Sequence, residues 1–249
     1  MNILSFETLD STNACALKLA EAGADPETVV WAQTQTSGRG QYGRIFVSPP
    51  GGLYFSLLLQ PDLEPERLPL VTLAAGVGCC RFLERHCGLS TRLKWPNDLY
   101  CRKRKLGGIL TETMPITANR PVTVVVGIGL NFNSTTAGFP EDMLRRITSV
   151  HALTGETYEL RVILPLLARE IMERIQALHS NQDKLLALWN ERDYLKGHPI
   201  LWETGRKHIT GTGRGLADDG CYILEDQGGK RHTILAGRVQ PLTCPTADS

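Results

Sequence analysis

Nothing in this chain is long and apolar enough to cross a bilayer. Its longest apolar stretches, residues 71–80 and 122–130, fall short of the ~20 residues that a membrane helix needs. The opening MNILSFETLDSTN has neither the basic nor the apolar segment of a secretion signal. An excess of one charge is missing too. A net charge of +1 gives no field that would gather nucleic acid or lipid headgroups. Paired cysteines are absent as well. There are seven, an odd number, and no C-x-x-C among them, which argues against a disulfide framework or a zinc ribbon. Cys79, Cys80, His86 and Cys87 fall within one helical pattern, so they read as buried thiols in a reducing, cytoplasmic setting. No fixed-period repeat or low-complexity tract is visible.

What is present is an ordinary globular composition, long enough for one or two domains. Strand patterns occupy residues 3–8, 28–35, 53–60, 106–113 and 122–130, with a short extended piece at 92–95. Helical patterns cover residues 14–22, 68–86, 161–179 and 182–194. Asp10-Ser11-Thr12-Asn13 precedes the first helix and consists of preferred N-cap residues. After Leu195 the character changes. Residues 196–242 are rich in Gly and Thr, with turn signals at Gly211-Thr212-Gly213, Asp218-Asp219-Gly220 and Gln227-Gly228-Gly229. The chain therefore divides into residues 1–194 and a small β-barrel domain with a short tail, residues 195–249.

The loop SGRGQYGR, residues 37–44, contains a literal G-x-G-x-x-G. A dinucleotide fold requires a helix directly after those glycines. Here Ile45-Phe46-Val47-Ser48-Pro49-Pro50-Gly51-Gly52 follows, and its prolines and glycines forbid one. A protein kinase would also need V-A-I-K, H-R-D and D-F-G, and none is present. The remaining readings are a solvated glycine-rich hairpin and an anion loop between two strands. In the second, backbone amides form a concave nest flanked by Arg39 and Arg44.

A second constellation is LKWPNDLYCRKRKLGGIL, residues 93–110. Pro96 biases Trp95 to extended backbone, and Asn97-Asp98 makes a turn that can aim a carboxylate, with Lys94 just before it. The basic run at residues 102–105 reads in part as a solvated loop or an import-type patch. Lys105 differs, because it stands at the mouth of a buried strand and would point into a site. A third segment, VGIGLNFN, ends an apolar strand in Gly-x-Gly and two asparagines. That pattern permits close approach of a ligand or simply ends a strand in a turn.

Together and in this order, these segments resemble the biotin protein ligases. The resemblance rests on Asp10-Ser11-Thr12-Asn13, Gln35-Thr36-Ser37-Gly38-Arg39-Gly40, Ser48-Pro49, Lys94-Trp95-Pro96-Asn97-Asp98, Lys105-Leu106-Gly107-Gly108-Ile109-Leu110 and Gly127-Ile128-Gly129-Leu130-Asn131. It implies an α+β fold: a mixed β-sheet with helices, like class II aminoacyl-tRNA synthetase catalytic domains, followed by an SH3-like barrel. It also implies two half-reactions. Biotin and ATP with Mg2+ give biotinyl-5′-AMP, and a lysine of a biotin carboxyl carrier domain then takes the biotinyl group.

By this resemblance Ser11, Thr12, Asn13 and Gln35 hydrogen-bond biotin, and the backbone from Gly38 through Arg39, Gly40 and Gln41 lines its carboxylate together with Lys105. Phe46 stacks on adenine, while Gly40, Arg44 and Asn131 contact the nucleotide. Lys105, Arg39, Asp98 and Lys94 are the candidate catalytic residues, with Asp98 orienting or deprotonating the acceptor amine or holding Mg2+. The family often has arginine where this chain has Gln41, which puts tight retention of the adenylate in question more than its formation. The chain begins at the catalytic domain, so the expectation is a ligase without the DNA-binding, repressor domain of some members. It would act as a monomer or weak homodimer, with no nucleic-acid or membrane partner. The rival readings are a lipoate or octanoate ligase or transferase, whose R-R-x-S-G-G-G loop differs from S-G-R-G, and a non-enzymatic nucleic-acid binder.

Overall fold

The computed structural model describes residues 1–116, 121–205 and 207–242. The chain opens with β1 (Asn2–Leu9), α1 (Thr12–Glu21), β2 (Thr28–Gln35) and β3 (Leu53–Leu59). After α2 (Pro69–Cys87) come β4 (Arg92–Lys94), β5 (Asp98–Cys101), β6 (Arg104–Thr113) and β7 (Val124–Leu130). These seven strands form one sheet in the order β1-β2-β3-β7-β6-β5-β4. β1 pairs parallel to β2, and the other neighbours pair antiparallel. The mixed sheet that the resemblance implies is therefore present.

LYFSLLL of β3 and VVVGIGL of β7 are buried at every position, because they lie at the centre of the sheet with both faces covered. On one face Phe55, Leu57, Val126 and Ile128 join α2 and α5 (Leu160–Gln176) in the main core. On the other face Val30, Leu58 and Val125 pack on Ala16 of α1. Alternate residues of a strand point to opposite faces, so this second face also presents Ser56, Gly127 and Gly129 where α1 no longer covers the sheet.

Two short helices, α3 (Glu141–Leu144) and α4 (Val150–Thr154), lie between β7 and α5. The sequence patterns did not resolve either of them. α6 (Leu178–Asn190) ends earlier than the pattern over residues 182–194 suggested. Asp193 takes the backbone N–H of Leu195 in a tight turn, an alternative to continuing the helix.

The C-terminal part is a second, antiparallel sheet. It contains β8 (Pro199–Thr204), β9 (Lys207–Leu216), β10 (Tyr222–Glu225), β11 (Arg231–Ile234) and β12 (Arg238–Pro241), in the order β11-β10-β9-β8-β12. This matches the expected SH3-like character. One expected turn is a correction: Gly211-Thr212-Gly213 lies inside β9. A Cβ on Gly211 would fall 2.3 Å from the Glu225 carbonyl oxygen and one on Gly213 2.4 Å from that of Leu195. These glycines serve close backbone approach within the sheet rather than a change of direction. Cys79, Cys80 and Cys101 are buried, and burial raises each thiol above its usual range. Cys244 lies outside the described residues.

Candidate active site

The pairing registers align one row of side chains across the sheet. Ala32 of β2 faces Tyr54 of β3, which faces Gly129 of β7, then Gly108 of β6, Asp98 of β5 and Lys94 of β4. The adjacent row on the same face is Val30, Ser56, Gly127 and Leu110. The glycines in the middle of both rows remove side chains where neighbouring strands carry them. A cavity opens above them, with hydroxyl and amide groups at one end and charges at the other.

The hydroxyl and amide end is held by its own hydrogen bonds. Ser11 is the N-cap of α1, its Oγ accepting from Ala14 N–H, so the cap reading of this segment is correct. The backbone N–H and the hydroxyl of Thr12 both donate to Gln35 Oε1, at 2.9 and 3.2 Å. Gln35 Nε2 in turn donates to Ser48 Oγ at 2.8 Å. Asn13 Nδ2 donates to the Leu110 carbonyl and to Glu112, while its Oδ1 lies 2.6 Å from Ser56 Oγ. A Cβ at Gly127 would sit 2.0 Å from Asn13 Oδ1, so that glycine makes the space Asn13 occupies. All of this fixes Ser11, Thr12, Asn13 and Gln35 before any ligand arrives.

At the charged end Asp98 lies between two ammonium groups. Lys105 Nζ donates to Oδ1 at 2.5 Å, and Lys94 Nζ stands 3.7 Å from Oδ2. Lys105 reaches this point because the register slips between Leu99 and Tyr100, passing over Leu106. Such a bulge re-aims a side chain. Its backbone is pinned as well: Lys105 N–H donates to the Arg146 carbonyl, and its own carbonyl accepts from Thr148 N–H. Of the basic run, Arg102 and Lys103 form the exposed tip of the β5–β6 hairpin at positive φ. The run thus splits into a solvated tip and an inward lysine.

Lys94 is only 14% exposed. Burial, and then the charges of Lys105, Arg238 and Arg44, pull its ammonium below the usual lysine range against the opposing effect of Asp98. Five cations line the cavity, Arg39, Arg44, Lys94, Lys105 and Arg238, against one carboxylate among the described lining residues, Asp98. The field inside favours a polyanion.

The loop at residues 36–52 joins two antiparallel neighbours, β2 and β3, and so is the hairpin connection expected of an anion loop rather than a strand-to-helix turn. It folds on itself through Gly40 N–H to the Arg44 carbonyl and Phe46 N–H to the Gly38 carbonyl. Phe46 stands over Gly129, where a Cβ would come within 2.5 Å of its ring, and meets Tyr54 edge-on at 6.2 Å between centroids.

Most of the residues singled out from sequence meet around this cavity: Ser11, Thr12, Asn13, Gln35, Arg39, Gly40, Gln41, Arg44, Phe46, Lys94, Asp98 and Lys105. Two do not line it. Gly38 is buried behind the loop, where a Cβ would fall 2.4 Å from the Phe46 carbonyl oxygen. Asn131 is buried at the end of β7 and donates from Nδ2 to the Thr148 carbonyl, its Oδ1 having no partner among the described residues. Sequence reasoning missed Ser56, Tyr42 and the wall formed by Gly237, Arg238 and Val239 of the second sheet. Ser56 was readable as the lone serine in an otherwise aliphatic and aromatic strand. The wall is a product of docking between sheets far apart in sequence and had no local signal.

Residues 5–131 match the model of the biotin/lipoate A/B protein ligase family. The chain is 34% identical to a biotin–[acetyl-CoA-carboxylase] ligase of Paracoccus denitrificans over 92% of this chain and 96% of that protein. It is 33% identical to the bifunctional ligase/repressor BirA of Bacillus spizizenii, covering 92% and 70%. Among solved structures, the biotin protein ligase of Aquifex aeolicus in complex with biotin and ATP superposes with a TM-score of 0.82 at 28% identity, covering 96% and 99%.

Proposed function

Because the chain belongs to the biotin/lipoate A/B protein ligase family, we propose that it joins biotin to ATP as biotinyl-5′-AMP and passes the biotinyl group to a lysine of a biotin carboxyl carrier domain. One observation carries the reading: a single glycine-floored cavity joins a fixed hydrogen-bonding end to a five-cation end. The first end suits a ureido ring, which both donates and accepts hydrogen bonds; a dithiolane ring offers no comparable partner for Thr12, Asn13, Gln35 and Ser56. The second end suits a carboxylate and a triphosphate together. The relative from Aquifex aeolicus, solved with biotin and ATP, supports the same pair.

In the first step a biotin carboxylate oxygen bonds to the α-phosphorus as the bond to pyrophosphate breaks. Two anions about 3.5 Å apart repel by roughly 5 kcal/mol at an effective dielectric near 20. Lys105, Arg39 and the amides of residues 39–41 offset that repulsion as fixed positive groups that need no reorganisation. Lys105 has three donors, so it can serve the reacting oxygens while keeping Asp98. Phe46, supported on Gly129, presents its ring to adenine.

In the second step the neutral acceptor amine bonds to the biotinyl carbonyl carbon as the bond to AMP breaks, AMP and a proton leaving; under ~0.1% of a lysine with a pKa of about 10.4 is neutral at pH 7. Asp98 orients that amine through Oδ2, the oxygen 3.7 Å from Lys94. A magnesium ion fits this donor set only as one carried largely by nucleotide phosphates. Asp98 is the residue that would hold it, and there the ion would neutralise charge on the leaving pyrophosphate.

The test is biotin-dependent ATP–pyrophosphate exchange, followed by the mass gain of one biotinyl group on a carrier domain. Exchange that responds to lipoate and not to biotin would sink the proposal.

A further inference from the structure

The tip of the anion loop is attached to the second sheet by one side chain. Tyr42 Oη accepts from the backbone N–H of Gly237 at 2.9 Å and donates to the carbonyl of the same residue at 3.3 Å. Tyr42 itself has a left-handed backbone, φ 57 and ψ 35, which turns its ring out of the loop. Gly237 is equally particular. Its φ is 111, and a Cβ there would lie 2.6 Å from the Glu203 carbonyl oxygen and 2.7 Å from Trp202 Nε1. The turn that carries it is braced by Trp202 Nε1 donating to the Ala236 carbonyl. A phenol thus meets a bare, braced peptide unit, and the next residues, Arg238 and Val239, form the cavity wall.

Little else restrains this tip. Arg39, Tyr42, Gly43, Arg44 and Ile45 are exposed, and the backbone hydrogen bonds of Gly40 and Arg44 run within the loop. We propose that Tyr42 is a positioning residue. Its clasp on Gly237 holds the backbone of residues 39–41 against the cavity, so that the second sheet retains the bound adenylate by holding the loop shut. This rests on the adenylate-forming reading above. Loss of the hydroxyl loosens the loop that carries Arg39 and the amides of residues 39–41, so product escape quickens, and bond formation, which those groups assist beside Lys105, slows by a smaller factor.

The experiment compares the protein with its Tyr42→Phe variant. Tyr42 is 64% exposed, so removing one oxygen leaves the core packing intact. Wild-type pyrophosphate exchange is measured first; its absence would count against the ligase reading and not against the clasp. Three results are expected of the variant. Amide exchange at Gly237 speeds up, because that N–H loses its acceptor. Release of radiolabelled biotinyl-AMP quickens about tenfold, the scale set by ~1.4 kcal/mol. Single-turnover adenylation at saturating biotin and ATP slows by less than adenylate release quickens, with an unchanged thermal midpoint. Unchanged exchange at Gly237 would show that the clasp does not form in solution. Faster exchange at Gly237 with unchanged adenylate release would show a clasp that holds no ligand. Either result overturns the proposal.

Discussion

The cavity floor and the loop above it both lean on the second sheet, but through different kinds of seam. The floor belongs to paired strands, and Trp95, next to Lys94, donates its indole N–H to the Gly220 carbonyl and packs on the buried ring of Tyr222. The loop is exposed and meets the second sheet through the Tyr42 phenol. Of the groups aimed at reacting atoms, Lys105, Asp98 and Lys94 therefore lie on the rigid side, while Arg39 and the amides of residues 39–41 lie on the loop. The groups that must admit and release ligands lie on the side that can open. Precise chemistry on strands with ligand capture on a loop is the division of labour expected when both jobs share one cavity.

The largest effect should come from removing a rigid-side charge. Replacing Lys105 with Ala should slow single-turnover adenylation by about 10²–10³-fold, the usual loss for one transition-state donor. An unchanged rate would return Lys105 to a bystander role and erase the contrast with the loop.

Two glycines of β7 sharpen the comparison within the floor itself. A methyl at Gly127 would displace Asn13, while one at Gly129 would displace Phe46. Forced displacements of this kind cost roughly 1–3 kcal/mol, or about tenfold to a hundredfold in binding. Gly127→Ala should therefore raise KM for biotin with little change for ATP, and Gly129→Ala should do the reverse. Steady-state titrations of each substrate would decide it. Equal effects of both variants on both substrates would mean that the two ends of the cavity are not separate.

Much of this was legible in the sequence, but unevenly. Proline and glycine chemistry after Gly43 excluded a helix, and that local argument was enough to make the loop a hairpin connection. Ser11 was readable as a cap for the same reason. The row from Tyr54 through Gly129 and Gly108 to Asp98 and Lys94 was not readable, because register is a relation between strands and no single segment contains it. The bulge that aims Lys105 is a property of the β5–β6 pair. Gly211 and Gly213 misled for a related reason, since a glycine needed for close approach looks in sequence like one needed for a turn. The C-terminal wall of the cavity needed tertiary docking to exist at all.

The smallest expected effect probes the buried seam and reads stability rather than catalysis. Asp193 accepts from Tyr222 Oη and from Leu195 N–H, each at 2.8 Å, where the two sheets meet. Burial raises its carboxyl from 3.8 to about 6, against the lowering influence of those hydrogen bonds and of Lys196. Between about pH 4 and 6 the folded protein therefore keeps a proton that the unfolded chain has released. Stability from this group is then greatest below that window and falls as pH rises through it. A shift of about two units corresponds to about 3 kcal/mol, an upper bound on the slope that Asp193→Asn should remove. Asparagine keeps the shape and an oxygen for Leu195 N–H but has no charge to bury. Urea midpoints of the two proteins at pH 4.5 and pH 7 should diverge, with the variant gaining relative to wild type at the higher pH. Parallel pH dependence would show that Asp193 is solvated in the folded state, and that the seam beneath the floor is as open as the clasp above it.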